Sequence, residues 1–195
     1  PLPVLGALVD KSLLHKHEGR LSLHPLVQQL SATKLGDGTV ASETEAAHAA
    51  FFHRLLAQLS LSVESGNRET LHKIDEEFEN CRRAWHWAIT HGQTEALKQS
   101  SKTMLDYWDY RGRSEEGLAL LRQVIDSPVA QGALELQVLM LSRASHLEYR
   151  LDRYAEAEEH ARRVMTLTRG KRANAARLQA LNVLGTCAYR LGRLT

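Results

Sequence analysis

The sequence predicts an almost entirely helical protein built from a repeated helical hairpin, with one β-hairpin near its start. Three observations predict this. A five-residue string occurs twice, 40 positions apart: Tyr149-Arg150-Leu151-Asp152-Arg153 and Tyr189-Arg190-Leu191-Gly192-Arg193, with Arg111-Gly112-Arg113 standing one period earlier. A fixed period in this range marks a stacked helical array. No proline falls between Pro25 and Pro128, so nothing there interrupts a helix. The chain is also rich in Ala, Leu, Glu, Arg and Gln, which are strong helix formers.

The elements follow in order. Residues 2–14 read as a short helix with Leu5, Leu8, Val9 and Leu13 on one face. Leu14, Lys16, Leu21 and Leu23 then alternate with polar residues around Glu18-Gly19, which predicts a β-hairpin over 14–24. Pro25 suits the first turn of a helix running to Leu35, and Gly36-Asp37-Gly38 ends it. A long amphipathic helix spans 42–63, with Ser42 and Glu45 as a capping box. Helices over 69–91, 95–110 and 114–125 follow, punctuated by Gly92, Gly112 and Ser127-Pro128. Three more cover 132–151, 154–169 and 173–191.

Composition bounds the function. The 195 residues carry 43% hydrophobic and 25% charged side chains, with a net charge of +2. The charges are interspersed, which argues against nucleic acid as a partner of this segment. No apolar run approaches the ~18 residues of a membrane span. The apolar start lacks a basic leader and does not read as a signal peptide. It also lacks an initiator Met, so the sequence reads as an internal piece of a longer chain. Cys81 and Cys187 read as buried, reduced thiols, which fits a cytoplasmic protein. No Gly-rich phosphate loop with Lys and Ser/Thr occurs, so no ATP hydrolysis, no catalytic residue and no bound cofactor are expected of this chain alone.

From residue 94 the 40-residue register is regular. Ser101, Leu141 and Leu181 align, as do Met104, Ala144 and Leu184. Glu116 aligns with Glu156, Arg122 with Arg162, and Val124 with Val164. Gly117, Ser145, Ala157 and Gly185 fall where the helices of a hairpin approach closely. The run Leu184-Gly185 in a first helix, a turn, then Tyr154…Ala157 in a second resembles the tetratricopeptide (TPR) repeat, in its longer variant. That resemblance covers 93–195, implies an α-α superhelix, and leaves the last repeat incomplete. It also implies that first helices line a partner-binding groove. The inward positions are Gln99, Lys102, Asp106 and Asp109; Ser142, His146 and Tyr149; and Gln179, Asn182 and Tyr189. They would take a protein, peptide or small inducer. The bare face of the last hairpin, with Leu181, Leu184 and Leu191, predicts self-association.

The first 92 residues carry a second resemblance. The string LVDKSLL, a hairpin, then RLSLHPLVQQLSATKL resembles the end of the winged-helix domain of STAND-class (NB-ARC-like) signal-transduction ATPases. IDEEFENCRRAWHWAI and YWDYRGRSEEGLALLRQVI resemble the helical segment that joins that domain to TPR arms. The resemblance implies a partial winged-helix domain over 1–38, a helical linker over 39–92 and the sensor repeats beyond, in a bacterial transcriptional regulator. The nucleotide-binding domain of the same polypeptide would be a partner, and ATP or ADP the ligand of that full-length parent. Leu23-His24-Pro25 matches the histidine motif that faces the ADP β-phosphate in this class, which implies a nucleotide-sensing role for His24. Pro25 departs from the motif's acidic third position. The competing reading of His24 is packing beneath the hairpin with a bond to a backbone carbonyl.

Other features have plainer readings. A winged-helix DNA-binding module using the 14–24 hairpin, with Lys11, Lys16 and Arg20 as its charge, is the alternative function. His15 and His17 share one side of a strand, but no third ligand lies near them, so no metal site is expected. His48/His53 and His86/His91 are five apart and read as surface or boundary residues. Trp85, Trp87, Tyr107, Trp108 and Tyr110 read as packing between linker and first repeat. Arg169-Gly170-Lys171-Arg172, near Arg162, Arg163 and Arg177, reads as a solvated loop.

Overall fold

The computed structural model describes residues 2–17, 19–36, 38–170 and 175–193. Glu18, Asp37, Lys171, Arg172, Ala173, Asn174 and the chain ends lie outside the described residues. The chain divides into two compact units, Pro1–Ala46 and Ala47–Thr195. The described residues form ten helices and one two-stranded antiparallel sheet.

The first unit holds α1 (Leu2–Asp10), β1 (Leu14–His17), β2 (Arg20–Leu23), α2 (Pro25–Leu35) and the start of α3 (Thr39–Glu64). Helix α1 is shorter than the expected 2–14. Ser12 turns left-handed at φ 56, and the Leu13 and Ser12 N–H groups return to the Leu8 and Val9 carbonyls. This double cap closes the helix and frees Leu14 for the strand. The hairpin pairs Leu14 with Leu23 and Lys16 with Leu21, the alternation the sequence predicts. Helix α2 begins at Pro25 as expected. Helix α3 begins three residues before the expected capping box. The Ser42 N–H bonds the Gly38 carbonyl, so Ser42 lies inside the first turn and caps nothing.

The second unit continues α3 and adds α4 (Arg68–Thr90), α5 (Thr94–Arg111), α6 (Ser114–Asp126), α7 (Pro128–Gly132), α8 (Leu134–Arg150), α9 (Tyr154–Leu167) and α10 (Ala175–Arg190). Asn67 caps α4 by accepting the Thr70 N–H at 2.9 Å. The one-turn helix α7 was not expected. Pro128, with its fixed φ, sits at the first helical position, where its missing N–H costs nothing.

Three turns explain the repeated string. Gly112, Asp152 and Gly192 each adopt a left-handed φ, of 65, 59 and 65°. At each, the next residue's N–H reaches back five residues: Arg113 to Trp108, Arg153 to Glu148, Arg193 to Ala188. The final arginine of each string then binds the preceding second helix. Arg113 lies 4.7 Å over the Phe78 ring, Arg153 donates to Glu115 at 2.6 Å, and Arg193 donates to Glu158 at 3.2 Å.

The helices pack in two layers. Helix α8 lies between α5 and α10, while α6 contacts both α5 and α8, and α9 contacts both α8 and α10. Trp108 of α5 is fully buried, edge-on to Trp85 of α4 at 6.0 Å. Gly117 of α6 lies directly against it. A Cβ on Gly117 would come within 2.5 Å of the Trp108 ring and 2.9 Å of Leu147. The expected close approach is therefore real at Gly117. It does not hold at Gly185, which is exposed with nothing within 4 Å of a Cβ. Trp85 is buried, whereas Trp87 is half-buried and stacks on His91 at 4.3 Å. Cys81 and Cys187 are buried free thiols, and burial, with Glu77 nearby, pushes the Cys81 thiol up to about 12.

Gly117→Val forces this junction apart and should cost about 1–3 kcal/mol, read as a lower thermal midpoint and altered tryptophan fluorescence. Gly185→Ala places a methyl in open space within a helix and should gain about 0.5–1 kcal/mol. Equal effects of the two substitutions would contradict the packing described.

Candidate functional site

Four of the ten groove residues, Lys102, Asp106, Asp109 and His146, gather on facing stretches of α5 and α8. Lys102, Asp106 and Asp109 are spaced i, i+4, i+7 on α5. Arg143, His146 and Arg150 are spaced i, i+3, i+7 on α8. These spacings put each set on one helix face. Lys102 Nζ bonds Asp106 at 2.8 Å and Glu64 at 3.1 Å. Burial works against its charge, but the two carboxylates outweigh it and hold the ammonium above its ordinary range. His146 Nε2 lies 2.7 Å from Asp109 Oδ2. Ser142, although in register with these, is not groove-lining. It is fully buried and donates to Gln179 Oε1 at 2.9 Å, tying α8 to α10.

The remaining positions are more dispersed. Gln99 is exposed and donates to Glu95 on its own helix. Tyr149 packs beside Tyr154 at 5.9 Å and pairs with Arg190. Asn182 and Tyr189 point to solvent. First helices meet at a constant offset. Lys98 reaches Glu135, Asp109 reaches His146 and Ser142 reaches Gln179, each 37 residues apart.

Two atoms in the α5–α8 strip lack partners. Arg143 Nε and Asp109 Oδ1 are buried without a hydrogen bond. Arg150 Nε is 3.7 Å from Asp109 Oδ1, too far for one. Burial lowers the Arg143 guanidinium from its ordinary range, opposed by Asp106 and Asp109. A buried donor and acceptor without hydrogen bonds are costly. Arg143, Arg150 and Glu64 were not singled out from sequence. The i, i+3, i+7 spacing around His146 was the available signal.

His24 is exposed, and its Nδ1 accepts the Leu26 N–H at 3.3 Å at the start of α2. It therefore caps a helix instead of packing beneath the hairpin, and Nε2 is left to carry the proton. His15 is exposed; the side chains of His17 and Arg20 lie outside the described residues. No group of three or more His, Cys, Asp and Glu among the described residues could hold a metal ion. No helix among them is long and apolar enough to cross a membrane. The sequence matches no family model, no curated protein and no solved structure.

Two buried polar groups serve the fold. Glu148 is fully buried and accepts from His160 of α9 at 2.7 Å and Arg122 of α6 at 3.3 Å. His53, expected at the surface or at a boundary, is buried on the face shared by Ala49, Phe52 and Leu56. Its Nε2 donates to the Ala84 carbonyl at 3.2 Å, and its Nδ1 lies 3.0 Å from Ser100 Oγ. Burial lowers its pKa. The unfolded chain then takes up a proton before the folded one as pH falls. Its contribution to stability is full above about 6.5, the ordinary imidazole value, and declines as pH drops toward the folded-state value. Thermal midpoints measured from pH 8 to pH 5 should fall below about 6.5, and His53→Gln should flatten that fall. An unchanged slope in the variant would remove His53 as the cause.

Proposed function

We propose that this chain is the sensing and protein-interaction part of a larger switch. It is a non-catalytic segment whose first helices hold a partner protein, peptide or small inducer. The observation that carries this is the α5–α8 strip, where charge-paired Lys102, Asp106, Asp109, His146 and Arg150 surround a guanidinium nitrogen and a carboxylate oxygen that are buried without hydrogen bonds. Stacked helical pairs of this kind form extended interaction surfaces and seldom carry chemistry. The left-handed turns at Gly112, Asp152 and Gly192 and the constant offset between first helices support a TPR-like superhelix.

The wider reading rests on the resemblance of residues 1–92 to STAND-class regulators. In such a parent, the winged-helix remnant and linker couple the repeats to a nucleotide-binding domain, in the cytoplasm. A partner biases the switch by binding its two states unequally. His24 Nε2–H is a suitable donor to a phosphate oxygen at the start of α2.

Peptide-phage selection against the chain should enrich binders that lose about tenfold or more in affinity on Asp109→Asn or Arg143→Met, an effect of ~1.4 kcal/mol or more. Arg82→Ala, on α4, should leave them unchanged. Failure to enrich, or binders indifferent to both groove substitutions, removes the groove reading. ADP titrated into this chain alone should give no binding heat; measurable affinity would contradict the separation of sensor from nucleotide site.

A further inference from the structure

Helices α5, α8 and α10 hold equivalent places in the 40-residue register, yet α10 is bare where the others are covered. On α8, Val138 and Leu141 are 6% and 0% exposed, while their equivalents on α10, Leu178 and Leu181, are 59% and 48% exposed. Ser145 is buried, as is Leu105 of α5, but the matching Gly185 faces open space. The difference has a simple source. Helix α8 is covered by both α9 and α10, and no described residue plays either part on the outer side of α10.

The site is otherwise prepared. The turn after α10 is already made, with Gly192 at φ 65 and the Arg193 N–H on the Ala188 carbonyl, matching the turns after α5 and α8. From Leu178 to Tyr189 the helix carries no charged residue, so the face has nothing to offer a charged partner. What it lacks can be read from the helices that cover its equivalents. Both α6 and α9 bury a small residue first (Gly117, Ala157). They bury an apolar residue four positions later (Leu121, Ala161) and a valine three beyond that (Val124, Val164). Both keep Glu116 or Glu156 and Arg122 or Arg162 exposed.

We infer that the outer face of α10 is a docking site for one amphipathic α-helix of the α6/α9 pattern, lying antiparallel to α10 with its small residue over Ala188, the register equivalent of the Trp108 against which Gly117 packs. Helix-in-groove recognition through anchors at i, i+4 and i+7 is the corresponding binding mode. Gly185 adds no side chain to this face, and Leu178 and Leu181 supply the apolar area. This face is separate from the α5–α8 strip, so loss of the groove reading leaves it standing.

The test uses the whole chain and a fluorescein-labelled synthetic peptide with the sequence of residues 153–168, followed by fluorescence anisotropy. Saturable binding is expected. Leu181→Asp in the protein should weaken it at least tenfold while leaving the thermal midpoint unchanged, since that side chain is exposed. In the peptide, replacing the residue corresponding to Ala157 by Leu should weaken binding, and replacing that corresponding to Glu159 by Ala should not. Absence of saturation, or binding that survives Leu181→Asp, overturns the assignment. So does a concentration-dependent dimer that Leu181→Asp abolishes and the peptide cannot displace, because the occupant is then a second copy.

Discussion

Trp108 holds the second unit together. Its ring meets Trp85 of α4 edge-on, lies under Gly117 of α6, and shares that contact with Leu147 of α8. One side chain of α5 thus sets the spacing of three other helices. The arrangement requires that one of them carry no Cβ at the crossing, since the gap is already smaller than ordinary van der Waals contact allows. The aromatic area buried here is large, and interiors packed at this density pass a local misfit to every neighbour. The position of α8, and through it of α9 and α10, follows from a junction made before either is reached along the chain.

Polar groups divide the remaining work according to burial. Glu148 sits at the centre of the array and is acceptable there because α6 and α9 each lend it a cationic or N–H partner. A buried carboxylate with one partner removed would be strongly unfavourable, so the pairing selects a single register of α6 and α9 against α8. The arginines after the left-handed turns act at the periphery, where ion pairs contribute little energy. Their value lies in repetition. Arg113, Arg153 and Arg193 meet a ring, a carboxylate and a buried carboxylate in turn, on α4, α6 and α9.

The helical architecture was legible because its signals are local. The absence of proline, the apolar spacing and the glycine stops set element type over nearly the whole chain, with boundaries displaced by a few residues. The exceptions have physical reasons. Ser42 offered a capping box, yet Gly38 opens the helix one turn earlier. Pro128 reads as a stop and also nucleates the short α7. Side-chain environment was less legible. His53 lies on the buried face of α3 with Ala49, Phe52 and Leu56, and its spacing from His48 concealed that. Ser142 has the inward register expected of a groove residue, but Gln179 covers it from α10. Arg143 lies one position beyond Ser142 and outside the expected inward register, so the spacing of the groove positions does not single it out. Each miss depends on what a neighbouring helix contributes, which no single stretch of sequence contains.

Helix α8 touches α5, α6, α7, α9 and α10, whereas α10 touches only α8 and α9 among the contacts that define the fold. In a stacked array each element is stabilised chiefly by its neighbours, so opening free energies are greatest at α8 and least at α10. The outermost helix is then the first to loosen. A ligand that engages it draws on the opening equilibrium of the array's end, so its affinity reports how ordered that end already is.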